Sequence, residues 1–468
     1  MKIKTHLPIF IPTVFILLAC QIFMPRQELT PEPTNLNLAE KPTSIYTPIS
    51  LPSDTPTPTP TLPPSPLPAK LTPTLVFIHT PTPTPISLAT QLSIFEDLWS
   101  IVDDTYVYPD FNGVDWKAIH EEFTLKIKNG LDTQQFYQEM SNLITRLGDD
   151  HSFFLDPQQV AEQQAEYEGK HDYVGIGVMV GAVPSRQRAV ILSVITGSAA
   201  EAAGLQPRDS ILSVNDIPIL DGYGFLQDIV RGPQGTVITM TVQTPGELPR
   251  ELHLTRQRVT GDYPLVYQLL ATPDGKRIGY ILLITFEDGT VDEQVASAIG
   301  HMTVEGPLDG LILDNRMNNG GTNTVLEPML SYFSGGDLGY YLHQGEPRPL
   351  AITLDDIQGS SQVPLVILVG SGTASFGEIF AGILQDVGRA YLIGITTGGN
   401  VEILWGYDLE DGSQLWLANE TFLPMNHPDQ DWEKTGIIPD LTVPGDFDEY
   451  SLGNDPAVLA ALGYLAER

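Results

Sequence analysis

Apolar residues between Ser93 and about Gly148 recur at helical spacing. Ile94, Leu98, Ile101 and Val102 share one face, and Phe136, Met140, Leu143 and Ile144 another, the stripes expected of helices that bury one side. From Tyr173 to about Val259 the period shortens. Tyr173 to Val180, Ala189 to Val194, Asp209 to Asp216 and Val237 to Gln243 read as short strands, with a helix-like Ser198 to Leu205 among them. From Arg277 to about Gly445 the strand candidates become continuously apolar: Arg277 to Phe286, Leu308 to Asp314, Val363 to Val369 and Tyr391 to Ile395. Helical patterns at Val291 to Thr303 and Ser375 to Val387 fall between them. Strands covered on both faces and alternating with helices predict an α/β sheet. Ligands of such sheets lie beyond the carboxyl ends of the strands, where Arg316 to Gly321 and Gly370 to Ser375 are placed.

The chain before these segments is different. Lys2 and Lys4 precede an apolar run, Leu7 to Ala19, interrupted by Pro8 and Pro12. That run is shorter than the ~20 residues a membrane-spanning helix needs, and it ends at Cys20, the single cysteine. Residues 1–20 are therefore expected to be a lipoprotein signal with Cys20 as the lipidated residue; an ordinary signal peptide with a chance cysteine is the alternative. Residues 21–92 are dominated by Pro, Thr, Ser and Leu and predict an extended, disordered stalk. With one cysteine, neither an internal disulfide nor a cysteine metal site can form.

Composition narrows the partners. The chain has 468 residues, enough for two or three domains, and 42% are hydrophobic. It carries 58 acidic residues against 24 basic ones, a formal net charge of -34. Nucleic acid is not expected as a partner, since no basic surface could neutralise phosphates.

Candidate chemistry begins at Ser375, in Gly370-Ser-Gly-Thr-Ala-Ser375-Phe-Gly-Glu378. A serine where a strand passes into a helix N-terminus has unpaired N–H groups and a favourable dipole beside it. A nucleophile there would have the Phe376 N–H as an oxyanion donor. Ser-x-x-Glu is also a capping box, with Ser375 as N-cap and Glu378 as its partner. Gly320 and Gly321 would let a substrate carbonyl approach a backbone N–H, or form a plain tight turn. No His-Glu-x-x-His or similar spacing points to a metal, and no cofactor is implied.

Residues 172–259 resemble a PDZ domain, most specifically in Gly204-Leu-Gln-Pro-Arg-Asp-Ser-Ile-Leu-Ser-Val-Asn215. PDZ domains add a peptide as an extra strand and hold its carboxylate on backbone N–H groups; the resemblance places that loop at Gly175, Ile176 and Gly177. Residues 93 to 445 as a whole resemble the tail-specific, or C-terminal processing, peptidases and their tricorn-core relatives. Asp314-Asn-Arg-Met-Asn-Asn-Gly-Gly321 is similar to the family's Asp-Leu-Arg-x-Asn-x-Gly-Gly loop. Thr373-Ala-Ser375-Phe-Gly-Glu378 is similar to its nucleophile motif, and Gly436-Ile-Ile-Pro-Asp440 to its Gly-Ile-x-Pro-Asp end.

The processing branch of that family uses a lysine base 25 residues after the serine, where this chain has Asn400. Asparagine cannot take a proton. The tricorn-like branch instead uses serine, histidine and glutamate, and the matching positions here are His151 in Gly148-Asp-Asp-His-Ser-Phe and Glu433 in Trp432-Glu-Lys-Thr-Gly. A capping histidine and a loop carboxylate are the plainer readings of these two residues.

The expected fold is multidomain α+β. It comprises a small N-terminal helical unit (93–171), a PDZ-like β-rich domain (172–259), an α/β peptidase core of the crotonase-like type (260–446) and a C-terminal segment (447–468). The expected function is that of a serine endopeptidase held outside the cytoplasm by a lipid anchor in the cell membrane, cleaving unfolded polypeptide or protein C-termini. Ser375, His151 and Glu433 would be the triad, with Phe376 and Gly320 or Gly321 as oxyanion donors. A peptide-binding lipoprotein without activity is the alternative, and hydrolysis of a small ester or amide a third.

Overall fold

A computed structural model describes residues 85–149, 151–167, 173–260, 263–272 and 274–468. The expected lipoprotein signal, Cys20 and nearly all of the expected stalk lie outside these residues. The described residues fall in one compact unit, and among them no helix is long and apolar enough to cross a membrane.

The core is a six-stranded sheet in the order Val266–Ala271, Arg277–Leu282, Gly310–Asp314, Leu365–Val369, Ala390–Gly394, Leu441–Thr442. The first pair is antiparallel and every later pair parallel. Gly310–Asp314 and Leu365–Val369 are buried at every position, which is why they read as continuous apolar runs. One face is covered by the helices Val291–Thr303, Asn323–Phe333 and Phe376–Asp386. The other is covered by Pro456–Ala466 together with Val190 and Leu192 of the β-rich segment. The parallel strands therefore deliver three loops to one end: 315–321, 370–375 and 395–401.

A second sheet brings the N-terminal helices back onto this core. Gln414–Pro424 is its centre, flanked by Ile403–Asp408, by Gly336–His343 with Glu346–Ile352, and by the short strand Phe153–Leu155. Phe153 pairs with Trp416 and Leu155 with Gln414. Ile94, Leu98 and Val102 of helix Leu88–Thr105 share one buried cluster with Phe136, Met140 and Leu143 of helix Thr133–Thr145. Leu415, Leu417 and Ala418 of the central strand close that cluster. His151 sits two residues before the pairing begins, so strand registry carries it to the core.

The β-rich segment has the strand order Val178–Val183, Arg188–Val194, Ser210–Val214, Val237–Gln243, Arg250–Thr255. The expected single strand from Tyr173 to Val180 is broken. Tyr173–Gly175 pairs instead with Gln257–Val259, because Gly177 turns the chain at φ +84° and a Cβ there would lie 2.3 Å from Ser198 Cβ.

A buried ionic knot ties these parts together. Arg316 donates to Asp314 Oδ1 and Oδ2 at 2.8 and 2.7 Å and to Asp455 Oδ2 at 2.6 Å. Arg208, from the β-rich segment, reaches Asp455 at 2.7 Å and Asp314 at 3.3 Å. Burial alone would raise the Asp314 pKa, but the Arg316 and Arg208 guanidiniums outweigh it and hold the carboxyl below its usual range. Asp455 also caps helix Pro456–Ala466. Removing one partner leaves buried charge uncompensated. Arg316→Ala is expected to destabilise the protein by about 3–5 kcal/mol, read as a lower denaturation midpoint; an unchanged midpoint would show that the knot contributes nothing to stability.

Candidate active site

The apolar strand Leu365–Val369 ends in a tight turn, and Ser375 stands at the start of helix Phe376–Asp386. Its backbone lies at φ 52°, ψ −128° and its side chain makes no capping bond. The capping-box reading is therefore corrected. Glu378 points away from Ser375 and accepts from the Thr397 hydroxyl and from the N–H groups of Gly399 and Asn400 at 2.9 and 2.8 Å. Burial pushes the Glu378 carboxyl up, and these three donors oppose that shift. Ser375 keeps its hydroxyl for other work, in a backbone conformation that costs a non-glycine residue about 1–3 kcal/mol.

Loop 395–401 runs between Ser375 and the histidine. The Ser375 N–H donates to the Asn400 carbonyl at 2.7 Å. The next residue, Val401, donates its N–H to Glu433 Oε2 at 2.8 Å. Glu433 Oε1 lies 3.0 Å from His151 Nε2. His151 and Glu433 are thus brought together, and two consecutive residues, Asn400 and Val401, separate that pair from the serine's backbone. Gly399 makes this turn possible: it has φ +78°, and a Cβ there would be 2.4 Å from the Glu433 carbonyl oxygen.

The turn carrying His151 is held by Asp149. Its carboxylate accepts from the N–H groups of His151 and Ser152 at 3.1 and 2.6 Å and from the Tyr106 hydroxyl at 2.6 Å. Asp149 grips the backbone and not the ring. A second carboxylate, Glu402, was given no role by sequence reasoning. Its Oε2 is 3.6 Å from the same His151 Nε2, and its side chain is 2% exposed. Nothing in the motifs singles it out, because the register of loop 395–401 against the histidine turn is a tertiary fact.

These charges set the imidazole. Burial alone would lower its pKa, but the bond to Glu433 and the negative charges of Glu402 and Glu433 win and push it up to about 9. Glu402, desolvated and beside Glu433, is pushed up to about 7, with His151 opposing the shift.

The glycine loop meets the serine from the other side. A Cβ on Gly320 would stand 2.6 Å from Ser375 Cβ and 2.9 Å from Phe376 N. Gly320 donates its own N–H to Asn318 Oδ1 at 3.0 Å, which narrows the oxyanion expectation to Gly321. Among the described residues the N–H groups of Gly321 and Phe376 meet no acceptor. Helix-dipole and N–H geometry at such a place favours developing negative charge.

The remaining predicted positions are also located. Ile176 is fully buried in the β-rich core, and its carbonyl and that of Gly177 accept from Ala200 and Ile195. Gly175 ends the strand paired with Gln257–Val259. Lys434 is a surface residue bound to Asp431. Asp386, the last residue of helix Phe376–Asp386, has a buried carboxylate that accepts from the Asn426 N–H and pairs with His427.

The sequence model of peptidase family S41 matches residues 277–443, that of the PDZ domain 190–244, and that of the tricorn protease C1 domain 89–133. A carboxyl-terminal-processing protease of Synechocystis sp. is 30% identical over 352 residues, which is 74% of this chain and 79% of that protein. The chain belongs to the S41, tail-specific family of serine peptidases. The chloroplastic C-terminal processing peptidase of Tetradesmus obliquus is 29% identical over 372 residues, 76% of this chain and 78% of its own length. The solved photosystem II D1 C-terminal processing protease superposes with a TM-score of 0.55 at 27% identity, covering 80% of this chain and 99% of that one. The expected multidomain α+β class, with a PDZ domain and an S41 core, holds, and the protein is a serine-type peptidase.

The strain at Ser375 yields a prediction. Glycine adopts φ 52° without penalty, so Ser375→Gly is expected to raise thermal stability by about 1 kcal/mol relative to Ser375→Ala while both variants are inactive. Equal melting temperatures would show that the turn is unstrained.

Proposed function

We propose that this S41 peptidase cleaves polypeptides near disordered C-termini by a Ser375–His151–Glu433 mechanism. One observation carries the reading: His151 is bonded to Glu433, and two adjacent loop residues link that carboxylate to the nucleophile turn. Glu433 takes the Nε2 side of the ring, which leaves Nδ1 for the serine proton. In the neutral imidazole Nε2–H donates to Glu433 and Nδ1 carries the lone pair. Ser375 Oγ attacks the scissile carbonyl as Nδ1 accepts its proton. His151 then returns that proton to the leaving amine, and Glu433 stabilises the imidazolium between the two steps. The N–H groups of Phe376 and Gly321 receive the oxyanion. Gly320 keeps that space open by having no side chain.

Asn400 stands where the processing branch has its lysine, and its carbonyl positions Ser375 by accepting the serine's N–H. This supports placing the chain nearer the tricorn-like branch. The PDZ-like segment is the candidate reader of the substrate tail. Val178–Val183 is an edge strand of its sheet, and a Cβ at Gly181 would lie 2.8 Å from Met317 Cε in the glycine loop. A peptide added to that edge would therefore run beside the loop that flanks Ser375, with Gly175, Ile176 and Gly177 at the carboxylate end.

A lipid anchor on Cys20 and a location outside the cytoplasm are part of the same proposal. They are supported by Lys2, Lys4, the apolar run ending at Ala19 and the single cysteine. Cys20→Ala is expected to move the protein from the membrane fraction to the soluble one; retention in the membrane would remove the anchor.

The mechanism is tested on a disordered polypeptide with a free C-terminus, assayed with a chelator present. Ser375→Ala should abolish cleavage, and His151→Ala should lower kcat by about 10²–10⁴-fold, the usual contribution of a general base. The neutral imidazole is the active form, so kcat/KM should keep rising through pH 8 toward the folded pKa of about 9. Glu402→Gln removes one charge that raises this pKa and should move the rise to lower pH. A flat profile from pH 6 to about 9, or equal turnover by wild type and Ser375→Ala, would sink the triad; the latter with peptide still bound would make the protein a peptide-binding lipoprotein.

A further inference from the structure

Three metal-ligating atoms converge where the mechanism needs one proton. His151 Nε2 lies 3.0 Å from Glu433 Oε1 and 3.6 Å from Glu402 Oε2, and the ligand atoms of the three residues all lie within 4.8 Å of one another. In tetrahedral zinc sites, metal–ligand bonds of about 2.0–2.1 Å set neighbouring ligand atoms about 3.3 Å apart. The 3.0 and 3.6 Å separations bracket that value. A surface cluster of acids would not have this form. The Glu402 side chain is 2% and that of His151 6% exposed, and among the described residues Glu402 Oε2 is a buried oxygen with no hydrogen-bond partner.

The charge balance points the same way. The charges that weigh most on Glu402 and His151 are those of Glu433, Asp149 and each other, and the Tyr108 hydroxyl bonded to Glu402 brings no charge. With His151 neutral, two carboxylates face one largely buried ring without its charge, a cost that a proton on the imidazole or a bound cation relieves. The access route is the Glu433 side, which is 21% exposed. One imidazole and two carboxylates suit zinc better than magnesium or calcium, which prefer all-oxygen shells. The sequence reading of no metal site rested on motif spacing, and these ligands are spread over residues 151, 402 and 433.

We propose that His151, Glu402 and Glu433 form a regulatory binding site for a divalent zinc-class cation that silences the peptidase. The ion takes the place of the proton on Nε2. The neutral ring then carries its remaining proton on Nδ1, so Nδ1 can donate but cannot accept from Ser375. Water fills the fourth position of the ion. Binding does not depend on the role given to His151, whereas silencing rests on that proposed triad.

The test uses the full chain and zinc itself. Equilibrium dialysis should show one tightly held zinc per chain, and X-ray absorption should show a nitrogen and oxygen shell near 2.0–2.1 Å without the ~2.3 Å sulfur distance that Cys20 would impose. Glu402→Gln should weaken binding at least 10-fold, since even outer-shell changes cost about 10–100-fold. If that variant does not fold, a zinc-dependent rise in the wild-type melting temperature and the absorption spectrum decide the matter. Zinc should suppress peptide cleavage, and a chelator should restore it. No retained zinc, sulfur in the shell, or unchanged affinity in a folded Glu402→Gln protein would overturn the site. Retained zinc with undiminished cleavage would overturn the silencing, and would then count against His151 as the base and not against the site.

Discussion

The structure depends most on the way loop 395–401 is fixed. Glu378, inside the nucleophile helix, holds Thr397, Gly399 and Asn400 from one side. Glu433 holds Val401 from the other. A loop carrying so many directed bonds has one low-energy shape, and that shape sets the serine's backbone and the histidine's carboxylate in one frame. Each end of the frame has its own support. The serine end rests on a fully buried parallel strand. The histidine end rests on Phe153–Leu155 pairing with the central strand of the second sheet. The Arg316–Asp314–Asp455 knot joins the strand carrying the glycine loop to the C-terminal helix, and Arg208 extends it to the PDZ-like segment.

In the proposed triad, glutamate and histidine take over a task that the processing branch gives to lysine, and the electrostatics differ accordingly. A lysine base must be stripped of its proton by burial and neighbouring charge. His151 has the opposite problem. Its carboxylate neighbours stabilise the charged ring and push its pKa up to about 9, the form that a histidine base in the proposed mechanism would have to give up. Under the proposed mechanism, the same two carboxylates that would make the imidazolium a stable intermediate would also restrain the resting enzyme. Glu402 is the residue that tightens this restraint, and it also gives the imidazole face the donor set of a cation site.

Much of this was legible in the sequence. Continuous apolar runs marked the buried parallel strands, and a 3.6-residue period marked the helices around Ile94 and Phe136. The S41 motifs marked Ser375, His151 and Glu433 as candidates to be tested. What escaped was tertiary. Gln414–Pro424 joins two sheets and seats the N-terminal helices, yet its polar and apolar residues follow no simple period, because both its faces are used in different ways along its length. Ser-x-x-Glu read locally as a cap, but Glu378 found better partners in a loop about twenty residues away. Glu402 had no signal, since its importance comes from which ring it faces. That Asn318 takes the Gly320 N–H, which leaves Gly321 as the glycine candidate for an oxyanion donor, is likewise a tertiary fact with no local signal.

The central claim is that the loop holds His151 ready for Ser375. The most direct measurement is a crystal structure of the enzyme after a peptidyl phosphonate has bonded to Ser375. The account predicts His151 Nδ1 within about 3 Å of Ser375 Oγ, with Nε2 still on Glu433 and the phosphonate oxygen facing the N–H groups of Phe376 and Gly321. A histidine ring left out of reach of that oxygen, with loop 395–401 unmoved, would contradict it.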